Sequence, residues 1–166
     1  MASKSNIKIP KSLWTAQDTL RLAQNVLASI KLRTSKGMDA NGKPFKAYST
    51  NPLFVAYRGA RLTPKGGEPT QGGVFYEGGY RQYKHESRRR GGGRDSAEVD
   101  LVLSGNMMNN LVVKKATQDM FIIGLTEHAQ YGYFVNEDRE FLGLNEKDID
   151  VITKAVETEI RGKLNK

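Results

Sequence analysis

Apolar positions recur along this chain with two different periods, and the change of period predicts where helix gives way to sheet. Over 12–33, Leu13, Ala16, Leu20, Ala23, Leu27 and Ile30 return at alternating spacings of three and four, with Val26 widening the stripe. That spacing puts them on one face of an amphipathic helix. Thr15 with Asp18 has the form of a capping box, and Ser12 offers a second N-cap. Three heptads are short for a coiled coil, so this face is expected to pack on a sheet within the same domain. A second helix is predicted over 146–163. There Asn145 precedes two acids of the first turn, Glu146 and Asp148, and Ile149, Ile152, Val156, Ile160 and Leu164 share one face.

Between the helices the period shortens. Residues 98–103 alternate as a strand does, and Ser104-Gly105-Asn106 breaks the pattern before an apolar run that starts at Met107. Residues 111–117 and 120–125 are rich in β-branched and apolar side chains and are joined by the polar pair Gln118-Asp119, which predicts an antiparallel hairpin. Asn41-Gly42 predicts a tight reversal after the first helix, because both residues tolerate positive φ. The fold class expected is therefore α+β: a small antiparallel sheet packed by a long N-terminal helix and a C-terminal helix. The domain is expected to be single, spanning 1–166, with an N-terminal tail at 1–11.

Residues 58–95 hold 10 of the 17 glycines and almost no aliphatic periodicity, so they read as an extended loop insertion rich in Gly and Arg. Short ordered islands are expected at Val74-Phe75-Tyr76 and over 80–84, with about two helical turns over 80–90.

Charge changes this picture more than composition does. The chain carries a net charge of +8 and no cysteine. Disulfides, thiolate metal sites and cysteine nucleophiles are thereby excluded. Neither a signal-like apolar segment near the start nor a run near the ~20 residues of a membrane helix is present, so a soluble protein without a membrane partner is expected. Residues 1–57 hold 9 basic and 2 acidic side chains, whereas residues 96–166 hold 8 basic and 12 acidic ones. A basic front and an acidic back suit a nucleic-acid face, and equally suit contact between the front of one copy and the back of the next.

Candidate chemistry is sparse. Asp39 and Asn41 lack the third oxygen ligand and the distal glutamate of a calcium loop, and the glycines do not precede the Lys-Ser or Lys-Thr pair of a phosphate loop. His85 and His128 stand far apart, so no metal ligand set is spelled. Glu137, Asp138 and Glu140 lack the apolar surroundings that would raise one carboxyl for acid catalysis. No enzyme, cofactor or metal is expected. Arg88, Arg89, Arg90 and Arg94, with Tyr80 and Tyr83, are candidate DNA or subunit contacts, since arginines bind phosphates and tyrosines stack on bases.

Four segments, in order, carry a resemblance. They are Arg33-Thr34 to Gly37 with Asp39-Ala40-Asn41-Gly42-Lys43-Pro44-Phe45 and Tyr48-Ser49; Val99-Asp100-Leu101 with Ser104-Gly105-Asn106-Met107; Ile122-Ile123-Gly124; and Arg139-Glu140-Phe141-Leu142-Gly143-Leu144. Together they resemble the phage virion morphogenesis family, the neck and tail-completion proteins of tailed bacteriophages. The signature positions are Asp39, Asn41, Gly42, Phe45, Asp100, Leu101, Gly105, Arg139, Phe141 and Leu142. The resemblance implies a homo-oligomeric ring at the head–tail junction or tail end of the virion, formed after synthesis in the host cytoplasm. Its partners would be its own copies and other head–tail junction and tail proteins, with non-specific contact to channel DNA. It carries over no catalytic residue. The insertion at 58–95 is longer than the family's compact pattern. The other function class in view is a small basic DNA-binding accessory protein.

Overall fold

The structure, a computed structural model, describes residues 13–60, 63–87 and 99–165. The elements run α1 (Ala16–Ser35), β1 (Leu53–Ala56), β2 (Glu68–Pro69), β3 (Gly73–Tyr76), α2 (Gly79–Ser87), α3 (Asn106–Asn109), β4 (Leu111–Ala116), β5 (Phe121–Leu125), a 3-10 turn (Glu127–Ala129), α4 (Tyr131–Asp138) and α5 (Glu146–Leu164). The α+β class stands, with long helices near both ends of the chain.

Helix α1 begins where its cap dictates. The Asp18 amide donates to Thr15 Oγ1 and the Thr15 amide donates to Asp18 Oδ2, which closes a full capping box and leaves Leu13 outside the helix. At the other end Gly37 takes φ +78°, its amide bonds Thr34 O, and the Met38 amide reaches back to Arg33 O. This is a Schellman stop, which a side chain at Gly37 would strain. The chain then reverses at Asn41-Gly42 as expected. The Asp39 carboxylate accepts the amides of Asn41 and Lys43 at 2.9 and 2.8 Å, so this acid holds a turn together.

The main core lies between α1 and the β4–β5 hairpin. Val26 and Ile30 of α1 meet Leu111 and Leu125, with Phe45, Val99, Met107 and Phe141 closing the cluster. Register runs from Leu111 opposite Leu125 to Ala116 opposite Phe121, with an irregularity between Val113 and Lys115. Gly132 lets α4 approach this hairpin, since a Cβ there would come 2.5 Å from the Leu125 side chain.

Helix α5 lies antiparallel along α1, and none of its residues is buried. Asp148 at its start pairs with Arg33, and Lys163 at its end pairs with Asp18. Only the middle of its expected stripe, Ile152, Val156 and Ile160, is half-buried; Ile149 and Leu164 at the ends stay exposed. Ion pairs to α1 take over there.

Two expectations are corrected. Within 58–95 the ordered islands expected at 74–76 and 80–84 are present as β3 and α2, but the described residues there are more ordered than an extended loop; 61–62 and 88–95 lie outside the described residues. β2 and β3 join β1 in a three-stranded antiparallel sheet of order β1-β3-β2, and α2 closes over it. Val74, Tyr76 and Tyr83 form a second small core, packed by Leu53, Val55, Tyr80 and Leu103. The rings of Tyr76, Tyr80 and Tyr83 replace the aliphatic periodicity that is missing. Among the described residues there are therefore two sheets where one was expected. The second correction concerns 98–103: within its described part, from Val99 on, no strand forms. Asp100 binds the Val102 amide, the Leu101 amide binds Tyr48 Oη, and Leu101 takes φ 53°. Side chains have captured the backbone groups that a strand ladder needs.

Candidate functional site

A cleft of about 990 Å³ separates the two cores. Its walls come from the 46–51 segment, from Tyr80 and Tyr83 of α2, from residues 101–107, and from Tyr131, Val135 and Arg139. Most of this lining is aromatic or aliphatic, with polar groups along the rim.

Tyr48 is the junction of those walls. Its hydroxyl accepts from Lys84 Nζ at 2.7 Å and from the Leu101 amide at 3.1 Å. Lys84 Nζ also lies 4.2 Å from the ring centroid, the Arg139 guanidinium lies 5.3 Å from it, and the Tyr80 ring meets it edge-on at 5.2 Å. Burial pushes the Tyr48 phenol well above its ordinary range, with Tyr80 and Asp100 adding to the shift, so it stays protonated. Lys84 in turn pairs with Asp100 at 2.5 Å, both side chains being enclosed. Leu101 follows directly in a left-handed conformation that costs a non-glycine residue about 1–2 kcal/mol. The Tyr48 bond to its amide helps hold it there.

Arg33 makes a second junction. Its guanidinium pairs with Asp148 and donates to the carbonyls of Phe141 and Gly143 at 3.2 and 2.9 Å. The Ala40 amide donates to Glu140 O, and Asn41 Nδ2 to the Glu140 carboxylate. Arg139 reaches the carbonyls of Lys46 and Ala47. Asn136 Oδ1 accepts both the Phe141 and Leu142 amides. Three of the four signature segments therefore meet: 33–49 is stitched to 99–107 through Tyr48 and to 139–144 through Arg33 and Arg139, by side chains bound to backbone. Phe45 and Phe141 fill the core between them, and Gly105 at φ +81° starts α3. The fourth, Ile122-Ile123-Gly124, lies in β5 beyond this network.

The remaining candidates fall in different places. Arg88, Arg89, Arg90 and Arg94 lie outside the described residues. Tyr83 is 5% exposed and stacked edge-on against Tyr76, which makes it a packing residue of the second core and not a platform for bases. Tyr80 is half-buried between Tyr48 and Tyr83. Asp138 binds Lys46 and Arg139, and the Lys46 contact holds its carboxyl below the usual carboxylate range. Among the described residues no three His, Cys, Asp or Glu side chains gather as a metal site. No helix among them is long and apolar enough to cross a membrane.

No family model, curated protein or solved structure matches this chain. Among the described residues the charged side chains lining the cleft, Lys46, Asp138 and Arg139, fasten one wall to another, so this arrangement is suited to holding shape.

Sequence reading missed Lys84 as an interior residue. The signal was there, because Tyr80, Tyr83, Lys84 and Ser87 follow one helical stripe, and the last three are buried. It was hidden because a lysine is almost never enclosed without a partner, and its partner Asp100 is distant in sequence.

Proposed function

We propose that this chain is a structural virion protein of a tailed phage. It assembles with its own copies into a ring that completes or joins the tail to the head. The convergence of three resembling segments into one network around Arg33 and Tyr48 carries this reading. Such cross-stitching from side chain to backbone fixes the relative position of turn, helix and core. A subunit that must present the same faces to two neighbours needs that rigidity. The partners are further copies and the adjoining head–tail and tail proteins, and any contact with channel DNA is independent of sequence.

Two measurements test it. Native mass spectrometry of purified protein reads the oligomer, and cryo-imaging of virions reads the place. A closed ring around the channel at the head–tail junction or tail end is expected. Finding the protein free in the host cytoplasm and absent from purified particles overturns the reading in favour of a basic DNA-binding accessory protein. That second reading rests on the arginine run of 88–94. Replacing Arg88, Arg89, Arg90 and Arg94 with serine then flattens the salt dependence of DNA retention.

A further inference from the structure

Each of the two sheets has one edge defended against pairing and one edge left open. In the first sheet, of order β1-β3-β2, the β2 edge is Glu68–Pro69, a charge followed by a residue with no amide hydrogen. In the hairpin, β4 carries Lys114 and Lys115 at a register irregularity. Charge, proline and bulges are the devices by which proteins block edge pairing. Within their own strand residues the other two edges carry none of them. β1 reads Leu-Phe-Val-Ala and β5 reads Phe-Ile-Ile-Gly-Leu. Exposed apolar side chains flank both: Phe54 and Tyr57 at β1, Met120 and Ile122 at β5.

The backbone groups available on each edge follow from the bonds already made. The Tyr57 amide donates inward to Gly72 O, so alternation turns Phe54 and Ala56 outward. The Thr126 amide donates inward to Asn110 O, so Leu125, Ile123 and Phe121 turn outward. Of these, Leu125 already donates to Tyr133 Oη. No strand of the described residues pairs with either outward edge.

We infer that β5 of one copy pairs antiparallel with β1 of the next. This deepens the ring reading and rests on it. One register pairs the outward groups of Phe54, Ala56, Phe121 and Ile123: Ala56 opposite Phe121 and Phe54 opposite Ile123. That register sets Arg58 opposite Asp119, both exposed, one basic and one acidic. At its far end it sets Pro52, which has no amide to donate, opposite Leu125, whose amide is taken. Pairing β5 with a second β5 antiparallel would instead bring Asp119 toward Glu127 and repel. Because β5 and β1 belong to different sheets, the contact is heterologous, and such contacts close into rings when the rotation permits.

The absence of cysteine allows a direct test. In this register Val55 faces Ile122 as a non-hydrogen-bonded pair, where Cα atoms lie about 4.5 Å apart and a disulfide can form. Val55→Cys and Ile122→Cys single variants are mixed under oxidising conditions beside each variant alone. A disulfide-linked dimer only in the mixture is expected. Arg58→Asp introduced into the Val55→Cys chain should lower its yield about tenfold, and Asp119→Arg in the Ile122→Cys partner should restore it. These surface charges leave both cores untouched. Absence of the mixed product, or equal linkage of Ile122→Cys with itself, overturns the pairing. Native mass of the unsubstituted chain separates the two ideas. A ring without the mixed product ends the edge pairing alone, and a monomer at every concentration, with no ring in particles, ends both.

Discussion

The Lys84 ammonium lies 2.5 Å from the Asp100 carboxylate, and their side chains are only 4% and 3% exposed. An enclosed pair of this kind contributes little net stability over a well-packed apolar pair, but losing one member leaves an uncompensated charge. Asp100→Ala should lower the unfolding free energy by about 3–5 kcal/mol. The double substitution Lys84→Met with Asp100→Ala should recover part of that loss. Urea unfolding of both variants beside the parent checks it, and a double variant no better than the single one would contradict the account.

Asp18 joins α1 to the end of α5 and gives the fold an acid-sensitive clamp. Its carboxylate accepts from Lys163, Thr15 and Arg21, and the Lys163 bond is the largest reason its pKa lies well below the ordinary value. A depressed carboxyl stabilises the fold fully above the unfolded pKa of about 3.9 and loses that contribution as pH falls toward its folded value. Asp18→Asn should therefore be less stable than the parent at neutral pH, with the gap narrowing below about pH 4. Thermal unfolding across pH measures it. A gap that stays constant would place the effect in packing.

Arg33 ties α5 to the 139–144 segment through three acceptors, two of them backbone carbonyls. A lysine keeps the charge and loses the planar fork. Arg33→Lys should leave the main core folded and raise amide exchange along α5, which has no buried residue of its own to hold it. Hydrogen exchange by mass spectrometry resolves this, and uniform acceleration over the whole chain would count against a local role.

Gly37 ends α1 at φ +78°, with space for a Cβ only 3.3 Å from Val99 O. Gly37→Ala should cost about 1–2 kcal/mol in unfolding free energy, because the left-handed backbone is strained for any side chain. Gly42→Ala shares the positive φ but meets nothing within 4 Å, so it should cost less. Equal losses would show that the Val99 contact adds nothing.

The features fixed by the sequence alone are those whose partners lie within one helical turn or one hairpin. The Thr15–Asp18 capping box, the start of α5 at Asn145, the Asn41-Gly42 reversal, the β4–β5 hairpin and the periods of α1 and α5 were legible, because each depends on groups a few residues apart. Phe45 and Phe141 could be singled out, but their burial against each other's segments could not. Tertiary structure decided the rest. The alternation at 98–103 suited a strand, yet Asp100 found Lys84 and Leu101 found Tyr48, and those distant bonds replaced a ladder. The glycine-rich insertion lacked helical or strand periodicity, yet its few rings suffice for a second core once β3 lies beside β1. Local patterns set which faces are apolar; only chain topology determines which distant polar groups meet, and a buried charge or a captured amide is settled by that meeting.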